Sequence, residues 1–179
     1  RHEHIQRTIL PAINNGIWVI CDRFSDSTFA YQGFGLSLKK SALEALNLLS
    51  VGTMKPDLTF IIDIPVSQGL GRANNREDNT SRYEKMDLLF HERLRQGFLS
   101  IAAGESSRCK VVNGSLDVAT VENIVWKLVR EKFGSEIVKV VNRTDNVLTV
   151  LRGQLGTTAV EHFDGATLTQ IAPAFNLPK

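Results

Sequence analysis

The sequence predicts an α/β fold in which a parallel sheet carries helices on both faces. Three observations point there. Short apolar runs at 17–21 and 58–64 lack the polar alternation of a half-exposed strand and suit strands buried on both faces. Segments with helical apolar spacing alternate with these runs, which is the order of a parallel sheet covered by helices. Two of the runs lead into acids, Asp22 and Asp63, at carboxyl ends of strands, where such sheets gather their chemistry.

Each element has its own signal. Ile5, Ile9, Leu10 and Ile13 fall near one face of a helix over 2–15, which Asn14-Asn15-Gly16 stops. A helix starting near Ser25 follows the first strand. Leu43, Leu46 and Leu49, spaced by three, mark a helix over 40–50, and Lys55-Pro56-Asp57 forms a turn. Pro65 opens the helix after the second strand, because Pro at the first helical position loses no hydrogen bond. Residues 73–82 show no apolar period and read as a loop. Met86, Leu89, Phe90, Leu94 and Phe98 line the buried side of a long helix over 83–102. Cys109 to Val112 is a third strand. Asp117 caps a helix over 117–132 with Val118, Val121, Ile124, Val125 and Leu128 inward, and Gly134 ends it. Beyond that glycine the helical period is lost. Residues 137–141, 147–151 and 166–169 read as strands, with turns at 142–146 and 164–165. The division is therefore 1–133 and a β-rich tail, 134–179.

The 179 residues suffice for one domain, or for a domain with an appendage, and 42% hydrophobic with 22% charged residues is a globular composition. A net charge of +2 gives no case for nucleic-acid binding. No apolar run is long enough to cross a bilayer. The polar start, Arg1-His-Glu-His4, has neither a signal-peptide pattern nor an initiator Met, so a cytoplasmic fragment of a longer chain is expected. Cys21 and Cys109 suit a disulfide, a reactive thiol or, as favoured here, two reduced and buried thiols. The four histidines have no metal-ligand spacing.

The run Cys21-Asp-Arg-Phe-Ser-Asp-Ser-Thr-Phe-Ala-Tyr-Gln-Gly-Phe-Gly35 brings many polar groups together just after a strand end. Arg23 at a strand end can grip a phosphate with two parallel hydrogen bonds. Asp22 can orient that Arg or hold a water on Mg2+; a structural Asp22–Arg23 ion pair is the alternative. Ser27, Thr28, Tyr31 and Gln32 would place hydroxyls, an aromatic and an amide on one turn of helix, enough to read a nucleobase, or else they cap a solvated helix. Arg72, Arg76 and Arg82 flank or occupy the polar stretch 73–82. They suit a lid that closes on phosphates, with Glu84 positioning Arg82, or an ordinary solvated surface.

The run Trp18-Val-Ile-Cys-Asp-Arg-Phe-Ser-Asp-Ser-Thr-Phe-Ala-Tyr-Gln-Gly resembles the signature of bacterial thymidylate kinases. The resemblance continues through Lys55-Pro-Asp-Leu-Thr, Ile62-Asp63, Gly69-Leu-Gly-Arg72 and Phe90-His-Glu-Arg-Leu-Arg95, over roughly residues 1–133. It implies a P-loop nucleoside monophosphate kinase of three layers that transfers the γ-phosphoryl of ATP, with Mg2+, to dTMP. By resemblance, Arg23 binds the dTMP phosphate and Asp22 supports the phosphate and Mg2+ region. Arg1, Thr28 and Gln32 face the thymine, Ser27 and Tyr31 complete the pocket, and Arg72, Arg76 and Arg82 belong to the lid. A homodimer is implied as well.

Two departures stand out. No Gly-x-x-x-x-Gly-Lys-Ser/Thr loop occurs in the chain, although the family carries one upstream of the position matching Arg1. The expectation is a partial fold that lacks the central first strand, between those at 17–21 and 58–64, and is inactive alone. The tail is the second departure; it resembles short β segments of phage structural proteins. Two other readings stand beside the kinase: a related deoxynucleoside or nucleotide kinase, and a non-catalytic binding or virion protein that works through 134–179.

Overall fold

A computed structural model describes residues 1–74, 83, 86–134, 139–144, 147–151 and 167–171, with side chains for 1–73, 83 and 86–134. Helix α1 is one continuous helix, His2–His4 and Leu10–Asn14 flanking a wide π turn, Ile5–Ile9. Strand β1 (Trp18–Asp22) leads into α2, which starts as Ser25–Thr28 and widens into a π turn, Phe29–Gly35. Then come α3 (Lys40–Val51), β2 (Leu58–Asp63), α4 (Val66–Asn74), α5 (Leu88–Gly104), β3 (Cys109–Asn113) and α6 (Val118–Phe133). Strands β4 (Lys139–Thr144), β5 (Val147–Leu151) and β6 (Thr167–Ile171) follow.

All six strands form one sheet, in the order β3-β2-β6-β1-β5-β4. Strands β3, β2, β6 and β1 run parallel, while β5 and β4 extend the β1 side antiparallel. The slot between β1 and β2 is taken by β6, whose Leu168 is opposite both Ile20 and Leu58. Asn142 to Thr144, expected in a turn, belong to β4; the expected turn residues 145–146 and 164–165 lie outside the described residues.

Strands β1 and β2 are buried on both faces along most of their length, as their apolar runs require. On one face Trp18, Leu58, Phe60, Ile62 and Val112 pack with Val121, Val129 and Phe133 of α6. On the other, Ile61 and Cys109 pack with Ala30 and Tyr31 of α2 and with Phe90, Leu94 and Phe98 of α5. Ile5 and Ile9 of α1 cover Val19 and Cys21 of β1.

Several expected boundaries and faces move. Helix α5 starts at Leu88 because Asp87 caps it, its carboxylate accepting the Phe90 N–H at 2.6 Å. Leu89, expected inward, is 67% exposed, and Met86 precedes the helix at the surface. Leu46 (60%) and Leu49 (79%) of α3 are exposed while Leu43 is buried, and Val118 of α6 is exposed. Ala73 and Asn74, expected in the loop, close α4. Both cysteines are free, buried thiols.

Candidate active site

Strand β1 delivers Asp22 and Arg23 to the carboxyl edge of the sheet. Arg23 has φ +64, a left-handed conformation that costs a non-glycine residue on the order of 1–3 kcal/mol and concentrates at functional sites. The turn is held from behind, since the Cys21 thiol donates to the Arg23 carbonyl at 3.6 Å. Burial pushes that thiol up to about 11, with the nearby Asp22 carboxylate adding to it, so it keeps the proton it donates. The strained turn aims Arg23 across α2, and its guanidinium carbon lies 5.3 Å from the centre of the Tyr31 ring. No ion pair joins Asp22 to Arg23 among the described residues; Asp22 is exposed at the strand end.

Helix α2 begins near Ser25, as its sequence suggests, and brings the polar residues together. Ser27 is buried, and among the described residues its Oγ has no hydrogen-bond partner. The Arg1 guanidinium donates to Thr28 Oγ1, joining the start of α1 to α2. The π turn then sets Tyr31 inward, with Leu36 N–H donating to the Tyr31 carbonyl at 2.9 Å. Tyr31 meets Tyr83 edge-on at 4.8 Å between ring centres, and Gln32 Nε2 donates to the Tyr83 hydroxyl at 3.3 Å. Arg1 with Thr28, and Arg23 with Tyr31, Gln32 and Tyr83, thus form two linked groups on one side of α2. Arg72 stands apart, donating to the Gly114 carbonyl at 2.9 Å beyond β3. Arg76, Arg82 and Glu84 lie outside the described residues.

Three features of the site had no assigned role in the sequence. Tyr83 sat in the expected long helix, yet it forms the wall opposite Tyr31. Arg95 grips Asp63 at the end of β2 with two bonds, 2.7 and 2.8 Å, fixing α5 to the sheet's carboxyl edge. Arg108, just ahead of β3, grips the buried Asp26 of α2 at 2.7 and 2.8 Å and also donates to Thr59 at 3.1 Å. Burial opposes the Arg108 charge, but its hydrogen bonds with Asp26 and Glu105 outweigh it and raise its pKa further. This pair seats the first turn of α2, and with it Ser27 and Thr28. The only signal in the sequence was the unlike charges themselves.

Among the described residues, no three His, Cys, Asp or Glu side chains group to hold a metal. Mg2+ binds through one or two carboxylates while water and phosphates fill its other positions, and the exposed Asp22 at the end of β1 is a carboxylate of that kind. The described residues offer no cradle for the phosphates of ATP.

The family described as thymidylate kinase matches residues 1–125. The thymidylate kinase of a Bradyrhizobium species is 45% identical over 134 residues, 74% of this chain and 59% of that protein. That of Geobacter sulfurreducens is 48% identical over 120 residues, 64% of this chain and 56% of that protein. The crystal structure of thymidylate kinase from Ehrlichia chaffeensis superposes with a TM-score of 0.56 at 35% identity, covering 73% of this chain and 58% of that one. The chain spans less than two thirds of the length of these relatives, and within that span the motifs at β1, α2, β2 and α5 all fall inside the matched region. It belongs to the thymidylate kinase family.

Proposed function

We propose that residues 1–133 form the dTMP-binding part of a thymidylate kinase, which phosphorylates dTMP to dTDP at the expense of ATP. The observation that carries this reading is Arg23, held in a strained turn at a strand end, with Ser27, Thr28, Tyr31 and Gln32 gathered beside it. In this reading Arg23 binds the 5′-phosphate. Tyr31 walls the sugar and base, Arg1 and Thr28 act as a pair at the thymine edge, and Gln32, held by Tyr83, presents its amide to the base. Ser27, buried behind them, completes the pocket. Mg2+ would neutralise phosphate charge, and Asp22 would hold it through water. Arg76 and Arg82 are proposed as lid arginines and Arg72 as the root of the lid. No step is assigned to ATP, because its phosphate loop is not in these 179 residues.

Residues 134–179 are proposed as a β-rich tail beyond the kinase-like part, and its described strands share the same sheet. A homodimer is proposed too; exposed Leu46, Leu48 and Leu49 on α3 give apolar surface for a second copy to cover, which light scattering would detect. No described helix is long and apolar enough to cross a membrane; a cytoplasmic location is proposed from the family alone.

Calorimetric titration of the full chain with dTMP tests the site. Charge-assisted hydrogen bonds contribute about 1.5–3 kcal/mol each, so Arg23→Ala should weaken dTMP roughly 10- to 150-fold. Unchanged affinity in that variant would sink the assignment.

A further inference from the structure

Strand β6 fills the most demanding place in the sheet with a sequence poorly suited to it. It runs parallel between β1 and β2. Val19 to Asp22 stand opposite Thr167 to Gln170 on one side, and Leu58 to Ile61 opposite Leu168 to Ile171 on the other. Both neighbours are covered on two faces. Trp18, Leu58, Phe60 and Ile62 pack with α6, Val19 and Cys21 with α1, and Ile61 with α2 and α5.

A strand at that place lies between helical layers, where parallel sheets use nearly continuous apolar runs. Strands β1, Trp-Val-Ile-Cys-Asp, and β2, Leu-Thr-Phe-Ile-Ile-Asp, come close to that pattern. Strand β6, Thr-Leu-Thr-Gln-Ile, has only Leu168 and Ile171 as apolar residues. The register puts Thr169 between Cys21 and Thr59, and Gln170 between Asp22 and Phe60. Taking hydroxyl and amide groups from water opposes that placement. The ladder bonds, by contrast, come from backbone groups that every residue except Pro supplies. Affinity in strand addition comes from those bonds and selection from the side chains. The slot therefore suits an apolar strand better than the one that fills it. We infer that the slot between β1 and β2 is a docking site for an apolar strand of a separate polypeptide, running parallel to both, and that β6 is its exchangeable occupant.

The probe is the peptide Lys-Lys-Val-Ile-Val-Val-Ile-Lys-Lys, with a control in which Pro replaces the central Val and removes a ladder donor. The full 15N-labelled chain is followed by amide hydrogen exchange. No nucleotide enters, so the result is independent of dTMP binding. Without peptide, the amides of Thr167 to Ile171 should exchange faster than those of Lys110 to Val112 in β3, because β6 opens before the sheet does. The peptide should strip the remaining protection from β6 and leave that of β3, and the Pro control should not. The double variant Thr169→Val/Gln170→Val should make β6 as protected as β3 and weaken the peptide about tenfold or more. Overturning results are a wild-type β6 already as protected as β3, a peptide that binds only an outer edge of the sheet and leaves β6 protected, equal action of the Pro control, or a double variant displaced as readily as the wild type.

Discussion

The Asp26–Arg108 pair shows how much of the candidate site rests on residues that do not face it. Both side chains are almost fully buried, and the pair joins positions far apart in sequence. Removing one partner of such a pair leaves an uncompensated buried charge, which costs about 3–5 kcal/mol. Arg108→Ala, which leaves Asp26 buried without its partner, should therefore lower stability by about that amount in urea unfolding; a loss within about 0.5 kcal/mol, typical of surface substitutions, would show the pair to be incidental. The cysteines give a pH-dependent counterpart. Burial raises the Cys21 thiol to about 11, against about 8.5 for an unfolded chain. A raised folded value means a contribution fully present below about pH 8.5 and lost as pH rises towards 11. The urea midpoint should fall over that window, and Cys21→Ala should flatten the fall; identical profiles for the two proteins would refute it. Sequence made Asp22 and Arg23 legible because two groups with phosphate and metal chemistry stand side by side at a strand end. It could not expose Arg108, because nothing local marks a partner 82 positions away.

Among the elements, α2 and α5 carry the tightest fit. The site-bearing π turn of α2 ends at Gly35, whose carbonyl accepts two bonds from Arg93 of α5 at 3.3 Å each. A Cβ added at Gly35 would lie 2.6 Å from the Phe90 ring. Phe90 is wholly buried and stacks on Tyr83 at 6.1 Å between ring centres, so it cannot swing away. Gly35→Ala should cost about 1–3 kcal/mol of stability by overpacking. It should also weaken dTMP, because Phe90 would push Tyr83, the partner of Gln32. A variant with unchanged stability and unchanged affinity would mean the two helices slide apart freely. Apolar spacing located both helices, since Phe90, Leu94 and Phe98 recur on one face. It set the start of α5 too early, because spacing cannot see the Asp87 cap, and it turned Leu89 and Val118 inward, because a periodic stripe does not say which of its residues meet the core.

At the scale of the whole molecule, the sheet ties the ends of the chain together. Alternating helices and apolar runs foretold the parallel layers, and the three tail strands were recognised one by one. Their place was not legible, since strand order depends on long-range pairing that no local pattern encodes. Strand β6 lies parallel between β1 and β2, opposite Val19 to Asp22 on one side and Leu58 to Ile61 on the other. Strand β5 covers the remaining edge of β1, from Trp18 to Cys21. Ending the chain at Gly134 would leave both edges of β1 and one edge of β2 without partners, and unpaired backbone groups in a buried sheet are costly. The truncated protein should lose cooperative thermal unfolding, and dTMP binding with it, because β1 holds Arg23 in place. The division of the chain at 133/134 by composition leads to the opposite expectation, a 1–133 unit that keeps its dTMP affinity. Calorimetry of the two lengths separates them: an unchanged transition in the shorter chain would make the tail an appendage, whereas its loss would make the tail strands that flank β1 the ones on which its site depends.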